Sequence, residues 1–305
     1  MTLKTAAINN TPQSNKGQKM LTWLSWENPV AIWWVALTSA SLINIALWFW
    51  TKSFAYKQMR FSDLKSLSKN PNNIIWFSAF YVFVCAFRSI LPRADVQRIC
   101  LFDTWFSSVM VGRSVATVAE LAFVLQWVIV LRFLSTETNS NFALKISKII
   151  FPTIVIAEVC SWYAVITTHY LGNCIEESLW ALTYTLIGFA VLSLLPKFKG
   201  AFKLAAIFSV IGCILYVLFM VTVDVPMYIH RLIADNAAQK PLLGFFEGLY
   251  DLNTRWIVTH SIQDWKTEIP WQTLYFTFAV LVSLALCYIP LESERLKKFL
   301  ANPGN

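Results

Sequence analysis

The chain has 305 residues, of which 57% are hydrophobic, 15% aromatic and only 14% charged. Soluble domains are usually about a quarter charged, so this composition excludes an ordinary soluble enzyme and indicates a polytopic membrane protein. The formal net charge of +8 does not indicate a nucleic-acid partner, because the lysines lie in short stretches between apolar segments and form no basic patch with stacking aromatics. We therefore expect a multi-pass integral membrane protein of a plasma or inner membrane.

Residues 1–22 are polar and lack the apolar core of a signal peptide, so we interpret them as a disordered tail. Seven segments follow that each contain about 20 mostly apolar residues, the length needed to cross a bilayer. They are predicted near 29–51, 73–92, 106–133, 147–170, 177–196, 203–224 and 271–290. This pattern predicts an all-α fold with a seven-helix transmembrane domain over 23–292, a long outer connection at 225–270 and a tail at 293–305.

The charges of the connecting segments predict the orientation. Lysine and arginine are concentrated after the first, third, fifth and seventh apolar segments, which share one side of the membrane. The positive-inside rule makes that side cytoplasmic, with the N-terminus outside and the C-terminus in the cytoplasm. The opposite connection at 171–177 contains Glu176 and Glu177 and no lysine, which agrees with this orientation. Three lysines in the N-terminal tail favour the opposite orientation, with the N-terminus in the cytoplasm.

The third apolar segment carries charges where they are costly. Arg113 and Glu120 are seven residues apart, so they share one helix face with Thr117 and Trp127. A charge at the centre of a membrane helix costs about 2.5–3.5 kcal/mol on insertion scales. We therefore expect this face to point into the helix bundle, where the charges can find partners.

The other segments add polar residues that should converge with this face. Glu158, Trp162 and His169 follow helical spacing on the fourth segment, and Asp224 lies before Pro226 at the end of the sixth. The orientation places Glu120 and Glu158 at the floor of an outward-opening cavity. The residues expected in its outer half or at its rim are Arg88, Arg113, His169, Glu177, Asp224 and His230. Each has a structural alternative, since the charges can serve only helix packing and the histidines only the rim.

The cysteines and histidines exclude some chemistries. No CxxC pair occurs, so a thioredoxin-like redox centre is not expected. Cys100 and Cys174 both fall in predicted outer loops, and we predict a disulfide between them. The three histidines lack the spacing of a helical metal site, so no metal is predicted, although ligation by His with Asp224 is an alternative.

Function is predicted from the buried acids. The leading hypothesis is an integral-membrane enzyme that performs acid–base chemistry on a lipid-like or isoprenoid-like substrate. The catalytic candidates are Glu120, Glu158, Asp224 and Arg113. The substrate-binding candidates are Arg88, Trp162, Tyr163, His169, Glu177, Trp180, Tyr228, His230 and Trp256.

The same residues allow other functions. A proton-coupled transporter or a seven-helix ligand-binding sensor would use the acids and arginine to relay protons or hold a ligand, and an assembly factor would bind a partner through its outer loops. A retinal protein is excluded, because the seventh segment has no lysine for a Schiff base. The expected partners are membrane lipids and a lipophilic small molecule, with cofactor and oligomeric state unassigned.

Overall fold

The structure is a computed structural model that describes residues 23–61 and 72–291, and these residues are mostly helical. The N-terminal tail at 1–22, most of the first basic connection and the C-terminal tail at 293–305 lie outside the described residues. The elements are α1 (Pro29–Phe61), α2 (Asn72–Ile90), β1 (Arg93–Ala94), β2 (Ile99–Cys100), α3 (Val109–Thr138), α4 (Asn141–Thr167), α5 (Tyr170–Leu194), α6 (Gly200–Phe219), α7 (Val225–Ala237), α8 (Phe245–Thr254), β3 (Ile257–Val258), α9 (Ile262–Trp265), α10 (Glu268–Thr273) and α11 (Ala279–Leu291).

Among the described residues, seven helices are long and apolar enough to cross a membrane, which confirms the all-α class and the prediction of seven long apolar helices. We number them spans 1 to 7. They are Pro29–Lys57, Asn73–Ile90, Val109–Thr138, Asn141–Thr167, Tyr170–Lys197, Gly200–Ala237 and Glu268–Pro290. The connections between spans 3, 4, 5 and 6 have only two residues each, so these helices pack as antiparallel neighbours.

Two boundaries differ from the sequence prediction by seven residues or more. Span 5 begins at Tyr170 and not near 177, so Glu176 and Glu177 lie on a helix and not in a loop. Span 6 continues through Pro226 to Ala237. A π-helical segment, Met220–Asp224, precedes this proline and changes the backbone hydrogen-bonding pattern there. Proline at the first turn after such a segment needs no backbone N–H, so it does not end the helix.

The core of the bundle is formed by the inward faces of the spans. Leu131, Ile150, Ile187 and Val280 are fully buried there. Large apolar side chains on the opposite faces, such as Trp50, Phe208 and Leu215, are exposed, as expected for helices that meet lipid. Span 6 is the least buried of the seven and packs mainly against span 5.

One end of the bundle is covered by a cap, which we define as residues 91–108 and 238–267. Strands β1 and β2 pair antiparallel, and β3 joins β2 in parallel, with Ile99 opposite Ile257 and Cys100 opposite Val258. Helix α8 packs closely on span 4, since a Cβ atom on Gly248 would lie 2.1 Å from the Ile166 carbonyl oxygen. The two halves of the cap are therefore joined to each other and to the bundle.

The predicted disulfide between Cys100 and Cys174 is wrong. All six cysteines are among the described residues, and all are free. Cys100 lies on β2 with its thiol directed at the carbonyl oxygen of Phe102, while Cys174 is buried in the second turn of span 5. Cys174 thus belongs to a helix and not to the predicted loop.

Candidate functional site

Four charged residues from three spans meet inside the bundle. We call Arg113, Glu120, Glu158 and Glu176 the Arg113 cluster. Nη2 of Arg113 lies 2.8 Å from Oε2 of Glu120 and 2.8 Å from Oε2 of Glu158, and Nη1 lies 3.4 Å from Oε1 of Glu176. The four side chains are only 4–12% exposed. The structure thus confirms that Arg113, Glu120 and Glu158 point into the helix bundle.

Helical spacing positions these groups. Arg113, Thr117 and Glu120 lie on one face of span 3, as the sequence indicated. Thr117 donates its hydroxyl to Oε2 of Glu158 at 2.6 Å and accepts a hydrogen bond from Nε1 of Trp162 at 3.1 Å. Span 7 contributes Tyr275, whose hydroxyl donates to Oε1 of Glu120 at 3.0 Å. Spans 3, 4, 5 and 7 are therefore tied together at the cluster.

The charges of the Arg113 cluster do not balance. One carboxylate oxygen from each of the three glutamates lies within 4.8 Å of the others, against a single guanidinium. Like charges at this separation in a buried site cannot all remain ionised, so a proton or a cation must be shared among them. Three carboxylates can in principle hold a metal ion, but the Arg113 guanidinium already lies between their oxygen atoms. The donor set therefore fits a proton better than a metal.

Aromatic rings of spans 5, 6 and 7 form two groups, which are linked only by the three-residue spacing of Tyr216 and Phe219 on span 6. Tyr184 of span 5 contacts Tyr216 of span 6 with ring centroids 4.2 Å apart. Phe219 of span 6 stacks on Trp271 of span 7 at 5.6 Å, and Trp271 contacts Tyr275 at 6.0 Å. We call these five residues the aromatic row. It ends at the Tyr275 hydroxyl on Glu120, the most exposed member of the cluster.

A second charged network holds the cap on the bundle. Nε of Arg93 lies 2.7 Å from Oδ1 of Asp95, its Nη1 donates to the Ser107 carbonyl oxygen, and Arg88 lies 3.8 Å from Asp95. Burial alone would raise the pKa of Asp95, but the guanidinium groups of Arg93 and Arg88 lower that pKa to about 2. Gly112 is required at this point, since a Cβ atom there would lie 2.4 Å from Cδ of Arg93.

The remaining predicted catalytic and binding residues fall into separate groups. Glu177 and Asp224 are half-buried on spans 5 and 6. Arg88 donates to the Gly112 carbonyl oxygen at 3.2 Å and belongs to the cap network. Trp180 is buried beside Tyr184.

Other predicted substrate-binding residues lie near the cap end and apart from the cluster. Tyr163 is partly exposed and its hydroxyl lies 3.1 Å from Nδ1 of His169. Tyr228 contacts Tyr170 at 6.2 Å, and His230 is exposed. The indole of Trp256 donates to Asp103 at 3.1 Å. The structure does not bring these side chains to Glu120 or Glu158.

Two residues of the site were missed by sequence reasoning. Glu176 was assigned to a loop because the apolar window begins after it, although its spacing from Asn173 is helical and Asn173 donates to its Oε2 at 3.4 Å. Tyr275 lies in an apolar stretch that gives no polar signal, so only packing reveals its bond to Glu120.

No protein-family model matches this chain, and no curated protein and no solved structure matches it. The fold and the site define its class: an all-α protein with seven helices that can span a membrane and a buried arginine–carboxylate cluster.

Proposed function

We propose that the protein is an integral-membrane enzyme that uses Glu120 and Glu158 for acid–base chemistry on a lipid-like or isoprenoid-like substrate. The observation that carries this proposal is the shared contact of both carboxylates with Nη2 of Arg113. Such an arrangement favours one protonated and one ionised carboxyl group. The first can donate a proton and the second can accept one, which is the requirement for general acid–base catalysis.

We also propose that the cap faces outward and that the opposite end of the bundle is cytoplasmic. Among the described residues, Lys52 and Lys57, Lys145 and Lys148, and Lys197 to Lys203 lie at that opposite end. The cap end mixes acidic and basic residues. This asymmetry supports an N-terminus outside by the positive-inside rule.

The aromatic row supports a lipophilic substrate. Span 6 packs mainly on span 5 and meets span 7 through the Phe219–Trp271 stack, so a molecule dissolved in the bilayer can approach between spans 6 and 7. Its apolar part would contact the aromatic rings, and these rings would stabilise positive charge that develops on protonation. Glu120 is the acid at the inner end of this path. Glu158 and Glu176, whose carboxylate oxygens lie within 4.8 Å of that of Glu120, would exchange protons with it.

Lipid analysis tests this proposal. Membranes from cells that express the wild-type chain, Glu120→Gln or Glu137→Gln would be extracted and compared by mass spectrometry with membranes that lack the protein. Glu137 is the control, because it lies on span 3 but in its last turn, away from the cluster. We expect a lipid-soluble product with wild type and Glu137→Gln that is lost with Glu120→Gln. An identical lipid profile in all four membranes would refute the enzyme.

A proton-coupled carrier is the second candidate, and a continuous polar connection favours it. Asn173 lines a cavity under the cap and donates to Glu176, which contacts Arg113 and through it Glu120. Because carboxylate oxygens of Glu120, Glu158 and Glu176 lie within 4.8 Å of one another, a proton would pass between these acids without any bound substrate, while the Arg113 guanidinium stays charged. Purified protein in liposomes with a pH-sensitive dye inside would show proton entry that Glu176→Gln abolishes. Proton entry combined with an unchanged lipid profile would favour the carrier over the enzyme.

A further inference from the structure

A cavity of about 230 Å³ lies beneath the cap, between the β1–β2 hairpin, the ends of spans 4 and 5 and the segment before α8. No residue of the aromatic row or of the Arg113 cluster lines it, and Asn173, which donates to Glu176, is the lining residue that contacts the cluster. The lining residues that determine its charge and hydrogen-bonding groups are Asp95, Arg98, Asn173, Lys240, Leu243 and Arg255. Three of these six are cationic.

The cations exceed the carboxylates that neutralise them. Asp251 forms two ion pairs: its Oδ2 lies 2.9 Å from Nη2 of Arg98, and its Oδ1 lies 2.6 Å from Nε of Arg255. Lys240 lies 2.7 Å from Asp235. Three cations therefore meet two carboxylates, which leaves one positive charge unbalanced at the cavity. Asp95 adds no free negative charge, since it is paired with Arg93 and Arg88.

Two carbonyl groups at the end of span 4 that would repel an anion already accept hydrogen bonds. Helix α4 ends at this cavity, and its last carbonyl oxygens carry the negative end of the helix dipole. Nη2 of Arg98 donates to the Val165 carbonyl oxygen at 2.8 Å, and the amide of Leu243 donates to the Thr167 carbonyl oxygen at 3.1 Å. Both contacts remove acceptors that would otherwise face the cavity.

The start of span 5 adds positive potential on the other side. Helix α5 is 25 residues long and begins at Tyr170, and no side chain caps it from the preceding residue, His169. Tyr170 and Asn173 both line the cavity, so the first turn of this helix borders it. Free amide groups in a first helical turn favour an anion.

Two of the three cations are accessible to a ligand. The side chains of Arg255 and Lys240 are 58% and 46% exposed, whereas that of Arg98 is only 8% exposed and serves the structure. Arg255 uses Nε for Asp251, so its two terminal nitrogens can still bind a group with paired oxygens. We propose that this cavity binds one phosphate or carboxylate group, held by Arg255 and Lys240.

Helix α8 places apolar surface beside the cavity. Phe246 and Tyr250 on this helix are 83% and 72% exposed, while Gly248 on the same helix is packed against span 4. An anionic lipid would bind with its headgroup in the cavity and its chains along this surface. A free anion would use the cationic groups alone. In both cases the cationic groups bind an anionic group, and binding assays distinguish a lipid headgroup from a free anion.

The test compares purified full-length wild-type protein with the double variant Arg255→Gln/Lys240→Gln. Lys266→Gln is the matched control, because Lys266 is an exposed cap lysine that bonds to Gln263 and does not line the cavity. Inorganic phosphate binding would be measured by calorimetry in detergent. Retention of phosphatidylglycerol would be measured by native mass spectrometry after reconstitution in phosphatidylglycerol–phosphatidylcholine nanodiscs.

We expect one saturable site that is about tenfold weaker or more in the double variant, because a hydrogen bond to a charged group is worth at least that factor. The control should stay within about twofold. Phosphate binding that the double variant loses identifies a free-anion site, and loss of phosphatidylglycerol alone identifies a lipid headgroup site. Equal binding of both probes by wild type and double variant would overturn the proposal. If the double variant does not fold, Arg255→Gln alone gives the same comparison, since this side chain is mostly exposed.

Discussion

Removal of Arg113 is the most direct test of the cluster. The substitution Arg113→Leu deletes a guanidinium that contacts Glu120 and Glu158 at 2.8 Å and Glu176 at 3.4 Å, with its side chain only 10% exposed. Three carboxyl groups would then share a buried site without a cation. Breaking a buried ion pair by removing one partner costs about 3–5 kcal/mol. We expect a loss of free energy of unfolding in this range near neutral pH.

The measurement is an unfolding titration with sodium dodecyl sulfate in mixed micelles, followed by tryptophan fluorescence. The control is Arg132→Leu, which removes an arginine from the exposed side of the same helix. It should change the free energy of unfolding by less than about 0.5 kcal/mol, as surface substitutions usually do. The deficit of Arg113→Leu should shrink as the pH is lowered, because protons then neutralise the carboxylates that lost their partner.

A double variant separates charge imbalance from lost packing. Arg113→Leu/Glu158→Leu removes one of the carboxylates left without a cation, so it should be more stable than Arg113→Leu alone. A loss below about 1 kcal/mol for Arg113→Leu would refute the reasoning, as would a double variant with fully additive losses. Either result would mean that the guanidinium is not what neutralises the three glutamates.

Three further predictions concern the cap and the cysteines. Gly248→Ala should loosen helix α8, because its Cβ atom would lie 2.1 Å from the Ile166 carbonyl oxygen; overpacking of this kind costs about 1–3 kcal/mol, and amide hydrogen exchange of residues 245–254 should rise. Asp95→Asn should cost about 2 kcal/mol at neutral pH, since the pKa of Asp95 is about 2 in the fold against 3.8 ordinarily. That difference from wild type should be complete above pH 4 and should disappear as the pH falls toward 2, as unfolding titrations at each pH would show. Alkylation of the denatured, unreduced chain should add six labels by mass, one for each free cysteine.

Each of these has its own control or contrary outcome. Gly244→Ala is matched to Gly248→Ala, because a Cβ atom at Gly244 meets nothing within 4 Å, and it should leave exchange unchanged. A stability difference between Asp95→Asn and wild type that persists unchanged at pH 2 would contradict the ion-pair account of the cap. Addition of four labels instead of six would show that two of the cysteines form a disulfide.

Helical periodicity in the sequence was enough to predict much of the Arg113 cluster. Arg113 and Glu120 are seven residues apart on an apolar segment, and the cost of lipid exposure requires such a face to turn inward whatever the neighbouring helices are. The same argument placed Glu158 and Trp162 on the inward face of span 4. These inferences succeeded because they depend on local helix geometry and on the energy of burying charge, both of which are encoded within one segment.

The predicted start of span 5 is wrong, and this error explains why Glu176 was missed and why a disulfide was predicted. The start of span 5 was placed seven residues too late, which moved Glu176 into a loop and made Cys174 available for a disulfide that does not exist. Hydropathy averages over a window, so polar residues at the first turns of a helix resemble a loop. Glu176 is tolerated there because Arg113 lies 3.4 Å away. Arg113 is on span 3, so the sequence of span 5 alone does not reveal this partner.

The sequence alone determined that seven helices form, that they are apolar enough to cross a membrane, and that Arg113, Glu120 and Glu158 turn away from lipid. Only the tertiary structure decided which groups they meet. Glu176 and Tyr275 reach the cluster from spans 5 and 7, and the cap cavity forms where β1, β2 and the segment before α8 close over spans 4 and 5. The reason is that helix formation and burial are local properties, whereas the partner of a buried charge is chosen by how separate helices pack.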